Sequence, residues 1–248
     1  MKAIDVHAHF GKWFFPIEAD SVAALLDMMA RNDIAKAVLS SALAIIYDFR
    51  EGNAAMARAV AESSSLYGYL FLNPNYVRAS LLEMERYLGA NPKFVGLKLY
   101  SGGYIGDQLL DCPGHRVFLT ELQRKYPRVN CVLFHTYSCV EARQLLEIAR
   151  AFPGLNFIMG HMGGTEWPTA VGIVAEAPNI YLELCSGNQA RGLIETGVAT
   201  VGARRVVFGS DMTLLNPAWT LGAIASAEIP DAEKACIVHD NAARLFGF

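Results

Sequence analysis

Eight short apolar runs recur along the chain: Ala3–His9, Lys36–Ser40, Leu66–Leu72, Phe94–Leu99, Cys131–His135, Asn156–Met159, Asn179–Leu184 and Arg205–Phe208. Their starts lie roughly 20–40 residues apart, the length of a β-strand plus a crossover helix. Helical patterns fill the intervals. Asp20-Ser21 opens Val22–Ala30, with Leu25, Leu26 and Met29 on one face. Gly52–Ser63, Arg78–Leu88, Arg116–Tyr126, Cys139–Ala151, Trp167–Ala177, Gln189–Val201 and Pro217–Ala227 follow. A last helix over Asp231–Phe246, with Asp231 as N-cap, is expected across the bottom or side of the domain. Strict βα alternation in 248 residues predicts an α/β fold, a single (β/α)8 TIM barrel over residues 1–248, since such barrels take about 250 residues. An open doubly wound sheet is the alternative. It usually needs fewer strands and often carries a glycine-rich loop where this chain has histidines.

Composition agrees with strands buried on both faces. Hydrophobic residues make up 53% of the chain and charged residues 18%, and mean hydropathy is +0.25. The net charge is −3 with no basic patch, so nucleic acid is not an expected partner. The longest apolar run, Ala35–Tyr47, includes two serines and a lysine and is too short to span a bilayer. No leader-like segment precedes the first strand, so a membrane is not expected as a partner either. Cys112, Cys131, Cys139, Cys185 and Cys236 form no Cys-x-x-Cys pair. They read as reduced thiols of a cytoplasmic protein, small buried ones serving as apolar filler.

In a barrel of this kind, chemistry gathers at the C-terminal ends of the strands. The first strand ends in His7 and His9, whose i, i+2 spacing places both on one face. The fourth carries Lys98 and Tyr100, the fifth ends at His135, and the sixth runs into Gly160-His161-Met162-Gly163-Gly164. The seventh carries Glu183, and the eighth ends in Gly209-Ser210-Asp211. Three histidines and a carboxylate are the donor types of a catalytic divalent metal site with an open position. His161 reads as a ligand or as a general acid–base beside the metal; Asp211 reads as a ligand or as an N-cap. Lys98 reads as an ion-pair partner of Asp211 or Glu183, as a clamp for a substrate carboxylate, or as a carboxylated bridge between two metals. Asp5, a layer deeper, is expected to anchor the site by hydrogen bonds. His115 reads as a surface histidine and His239 as structural. Lys12-Trp13-Phe14-Phe15-Pro16 could wall the site or pack on a neighbour, and the long Tyr100–His115 loop has the composition of a lid.

These pieces carry a family resemblance. Ile4-Asp5-Val6-His7-Ala8-His9, Gly96-Leu97-Lys98-Leu99, Phe134-His135-Thr136, Gly160-His161-Met162-Gly163-Gly164, Phe208-Gly209-Ser210-Asp211 and Asn241-Ala242-Ala243-Arg244-Leu245-Phe246 run nearly end to end. Together they resemble the amidohydrolase superfamily, in its amidohydrolase 2 branch of the aminocarboxymuconate-semialdehyde decarboxylase type. The resemblance implies a (β/α)8 barrel and one divalent metal, zinc by the usage of the family. It implies His7, His9, His135 and Asp211 as ligands and His161 and Asp211 as catalytic residues, with Lys98 and Tyr100 toward the substrate. Three functions compete. The first is hydrolysis of a small amide, ester or lactone by metal-activated water. The second is non-oxidative decarboxylation of a small aromatic or dienoic acid at the same site. The third is a metal-bearing scaffold without turnover. A small molecule is the expected partner in the first two, and a homodimer the expected assembly.

Overall fold

The computed structural model describes residues 2–17, 21–185 and 190–248. Its eight strands are all parallel and follow one another in chain order: β1 Ala3–Phe10, β2 Ile34–Ser41, β3 Leu66–Phe71, β4 Phe94–Leu99, β5 Cys131–His135, β6 Asn156–Gly160, β7 Ile180–Glu183 and β8 Val206–Val207. Backbone bonds then return the chain to β1. Val6 N donates to Phe208 O at 3.0 Å and Asp211 N to His7 O at 2.8 Å, and Ala8 bridges to Met212. This is the (β/α)8 barrel that the alternation predicts.

The helices are α1 Val22–Arg31, α2 Ala42–Ile46, α3 Phe49–Ala61, α4 Val77–Leu88, α5 Pro113–Lys125, α6 Cys139–Ala151, α7 Trp167–Val174, α8 Leu193–Val201, α9 Pro217–Ser226, α10 Asp231–Ala235 and α11 Asn241–Phe246. Their starts follow from capping chemistry. Ser21 accepts from Ala24 N at 3.2 Å to open α1, and Asp48 accepts from Arg50 N and Glu51 N to open α3. Ser138 and Glu141 form a reciprocal pair at the start of α6. Asp20 and Gln189, expected at two helix starts, lie outside the described residues.

After β2, Ser41 accepts from Ala44 N at 3.2 Å and turns the apolar run Ala35–Tyr47 into α2. Two expectations are corrected. The last helix is one rod in three parts, with a π-helical turn at Cys236–Asp240 between α10 and α11. Its N-cap is Pro230, and Asp231 is the first helical residue. The Tyr100–His115 loop ends early, because Pro113 starts α5. His115 is therefore inside that helix and fully buried rather than on the surface. Its ring lies edge-on to Phe134, 5.7 Å between centroids, and its Nδ1 donates to Leu110 O at 2.8 Å.

Two apolar layers result. A large one fills the space between the strands and the helices. A smaller one, Ile4, Val6, Tyr69, Leu133, Ile158 and Val207 among others, fills the barrel and is met by Ala242 and Leu245 of α11. The last helix thus plugs one end of the barrel and leaves the other for chemistry. Against β2, β1 advances from Asp5 to Ala8 while β2 advances only from Ala37 to Leu39, an irregularity of one residue. Val6 packs in the inner layer and Ala8 in the outer one. The extra residue lets apolar Val6 and polar His7 both serve the barrel interior. None of the five cysteines is in a disulfide. Among the described residues no helix is long and apolar enough to cross a membrane.

Candidate metal centre

His7 and His9 leave the end of β1 together and meet Asp211 beyond β8. Asp211 Oδ1 lies 2.8 Å from His9 Nε2 and 3.6 Å from His7 Nε2. The short contact is poorly aligned for a hydrogen bond, and among the described residues Asp211 Oδ1 has no well-aligned donor. Three buried donor atoms that converge without bonding to one another have the chemistry of a cation site. Asp211 is held with φ +60°, a conformation that costs a residue with a Cβ roughly 1–2 kcal/mol. Strain of this kind is stored at functional sites. Burial pushes the Asp211 carboxyl up, but His9, with the charges of His7 and His161, outweighs it and holds the carboxyl well below its ordinary range.

Lys98, on β4, is completely buried. Its Nζ lies 2.8 Å from His7 Nε2 and 5.1 Å from the Tyr100 ring centroid. Burial lowers its pKa from 10.5 to about 8. Of the readings open to Lys98, an ion pair with Glu183 does not form: Glu183 turns to His7, with Oε2 2.8 Å from Nδ1. Burial lowers the His7 imidazole, and the neighbouring Lys98 lowers it further.

His161 stands next to this group, its ring centroid 4.9 Å from that of His7. Its Nδ1 donates to Cys185 O at 3.0 Å. A carbonyl only accepts, so the proton sits on Nδ1 and Nε2 is left for chemistry. His161 takes φ +64°, and burial lowers its pKa. His135 is adjacent rather than convergent. Its ring stacks on Tyr100 at 4.4 Å and meets His161 edge-on at 4.7 Å. It falls outside the sets of donor atoms lying mutually within 4.8 Å, one of which is His7, His9 and Asp211. Asp5 anchors as expected: Oδ1 accepts from His7 N at 3.0 Å and Ser210 N at 3.1 Å, and Oδ2 binds the Ser210 hydroxyl.

Aromatic rings wall the cluster. Trp13 lies edge-on to His9 at 5.1 Å, and its buried Nε1 has no partner among the described residues. Tyr137 lies 4.8 Å from His135 and 4.7 Å from His161 and remains 47% exposed, which marks it as the mouth. Nothing in the sequence marks Tyr137, and Cys185 reads there as filler. Cys185 Sγ instead lies 3.2 Å from Nδ1 of both His7 and His161. Its i+2 spacing from Glu183 was the available signal.

The family model for amidohydrolases matches residues 4–248. The fold is similar to that of 2,6-dihydroxybenzoate decarboxylase from Rhizobium, with TM-score 0.80, 18% identity, and 99% of this chain and 98% of that chain covered. It is also similar to a dihydroxybenzoic acid decarboxylase from Polaromonas with bound manganese and 2-nitroresorcinol, with TM-score 0.77, 19% identity and coverage of 99% and 97%. A third similar structure is 5-carboxyvanillate decarboxylase from Sphingomonas paucimobilis, with TM-score 0.71, 16% identity and coverage of 100% and 99%. No curated protein matches the chain.

Proposed function

The chain belongs to the amidohydrolase family, and on that premise we propose that it is a metal-dependent decarboxylase of a small aromatic carboxylic acid. The observation that carries this reading is the buried ammonium of Lys98 inside a donor cluster walled by Trp13, Tyr100 and Tyr137. A flat ring suits those walls, and a carboxylate suits that cation. Sequence alone ranks hydrolysis first. The likeness in fold to decarboxylases of hydroxybenzoic acids reverses the order.

The donors fit a divalent ion. His7, His9 and Asp211 would hold it, with His135 beside them. This mix of imidazole nitrogen and carboxylate oxygen is one that zinc and manganese both accept. A bound divalent ion supplies positive charge that draws electron density from the substrate's oxygen atoms. The protein's own residues supply the rest. Lys98 Nζ orients the carboxylate. The aromatic walls exclude water and hold the ring flat. His161, protonated at Nε2 from solvent, delivers that proton to the ring carbon that carries the carboxylate. The bond from that carbon to the carboxylate then breaks, its electron pair restores the aromatic ring, and CO2 leaves. His161 regains its proton from solvent.

The test is a panel of hydroxybenzoic acids, esters and lactones, incubated in D2O with protein loaded with zinc or with manganese. The reading expects CO2 and one deuterium at the carbon that lost the carboxylate. Cleavage of an ester or lactone without any CO2 release would restore hydrolysis.

A further inference from the structure

Glu183 has no part in the reaction just described, yet it is completely buried at the end of β7. Its carboxylate ties three strand ends together. Oε2 accepts from His7 Nδ1 of β1 at 2.8 Å and from the backbone N of His161, beyond β6, at 3.1 Å. Oε1 accepts from the backbone N of Cys185, and the Cys185 thiol donates to Oε2 at 3.1 Å. A buried carboxylate persists only where donors replace its water, and here four do.

The fold makes room for it at one glycine. A Cβ on Gly209 would lie 2.1 Å from Glu183 Oε1 and 2.8 Å from His7 Cβ. Only a residue without a side chain lets the carboxylate and the imidazole pack against β8 in this way.

The other nitrogen of His7 fixes the direction of the bond. Nε2 lies 2.8 Å from Lys98 Nζ, and an ammonium only donates. Nε2 is therefore the acceptor, and the ring proton is on Nδ1, facing Glu183. We propose that Glu183 is the positioning residue of the site. It locks His7 in the Nδ1–H tautomer and keeps unprotonated the Nε2 that accepts from Lys98 Nζ and lies 3.6 Å from Asp211 Oδ1. Through its own Oε2 it holds the backbone of His161 in its left-handed turn. The first role rests on the reading of His7 as a metal ligand. A carboxylate behind a ligating imidazole raises the basicity of the ligand, and loss of such a partner weakens metal binding by about 10–100-fold.

Two readouts test this apart from activity. In metal-free wild type, long-range 15N NMR of the histidines should show His7 protonated on Nδ1. In Glu183→Gln, and in Gly209→Ala, which displaces the carboxylate without removing it, Mn2+ affinity measured by EPR should fall by about 10–100-fold. His7 protonated on Nε2 in wild type, or wild-type Mn2+ affinity in both folded variants, would overturn the proposal. Wild type that takes up no metal would overturn the metal reading itself, whereas the NMR result still decides whether Glu183 sets the tautomer.

Discussion

Lys98 Nζ donates at 2.8 Å into His7 Nε2, the same imidazole nitrogen that faces Asp211 Oδ1 at 3.6 Å. A buried side-chain cation thus bonds one of the atoms that a metal ion would use. A hydrogen bond to a charged group is worth roughly 1.5–3 kcal/mol, and metal binding has to break this one. Lys98→Met should therefore bind Zn2+ or Mn2+ about 10–100-fold more tightly than wild type in a chelator competition, by that same increment. It should also lose decarboxylation through a raised KM, because the substrate carboxylate loses its partner. A variant with weaker metal binding would show that Lys98 supports the ion rather than competing with it.

His161 is predicted to act at Nε2, since Nδ1 is committed to Cys185 O at 3.0 Å. His161→Gln should lower kcat by about 10²–10⁴-fold, the usual worth of a positioned acid–base group. Its metal content should match that of wild type. Steady-state kinetics with metal analysis on the same sample checks both halves. A large loss of metal would make His161 a ligand instead.

Burial lowers the His115 imidazole from 6.5 to about 4. The unfolded chain takes up a proton near pH 6.5 and the folded chain near pH 4, so between these values the unfolded state holds more protons. Stability then rises with pH across the window. The contribution, roughly 3 kcal/mol, is complete above about pH 6.5 and is lost as pH falls toward 4. His115→Asn, which keeps a donor near Leu110 O, should flatten urea-unfolding free energies over that range. An unchanged slope would assign the acid sensitivity to other groups.

Tyr69 is fully buried, and its hydroxyl donates to Val6 O at 2.8 Å, just beneath His7. Tyr69→Phe leaves that carbonyl without its partner and should cost about 1–3 kcal/mol. For a chain of this size the calorimetric Tm should fall by roughly 2–10 °C. Metal affinity should hold, because Asp5 still fixes the His7 backbone. A loss of metal binding without loss of Tm would place Tyr69 in the site rather than under it.

Much of this was legible in the chain. β4, β5 and α6 match their predicted limits to the residue, because turn residues bound the two apolar runs and Ser138 caps the helix. His7 and His9 were legible from i, i+2 spacing, although the irregularity between Asp5 and Ala8 includes the position of His7. Other features depend on distant parts of the chain. β8 shrinks from the expected Arg205–Phe208 to Val206–Val207 because Arg205 closes a 3-10 turn and Phe208 N donates to Ile237 O of the last helix. His115 precedes Arg116 and reads as surface, yet the helix turns it with Phe118 toward the core. A pairing of Glu183 with Lys98 was one of the readings open to Lys98, but Gly209 opens the space that lets Glu183 reach His7.

Metal stoichiometry tests a single site at His7, His9 and Asp211 most directly. Metal-free wild type and Asp211→Ala would be titrated with Zn2+ and Mn2+ and analysed after desalting. Wild type should retain one equivalent, binding in the variant should be lost or strongly weakened, and CO2 release should follow occupancy. Folded wild type that retains no ion, or Asp211→Ala that retains a full equivalent, would contradict that site.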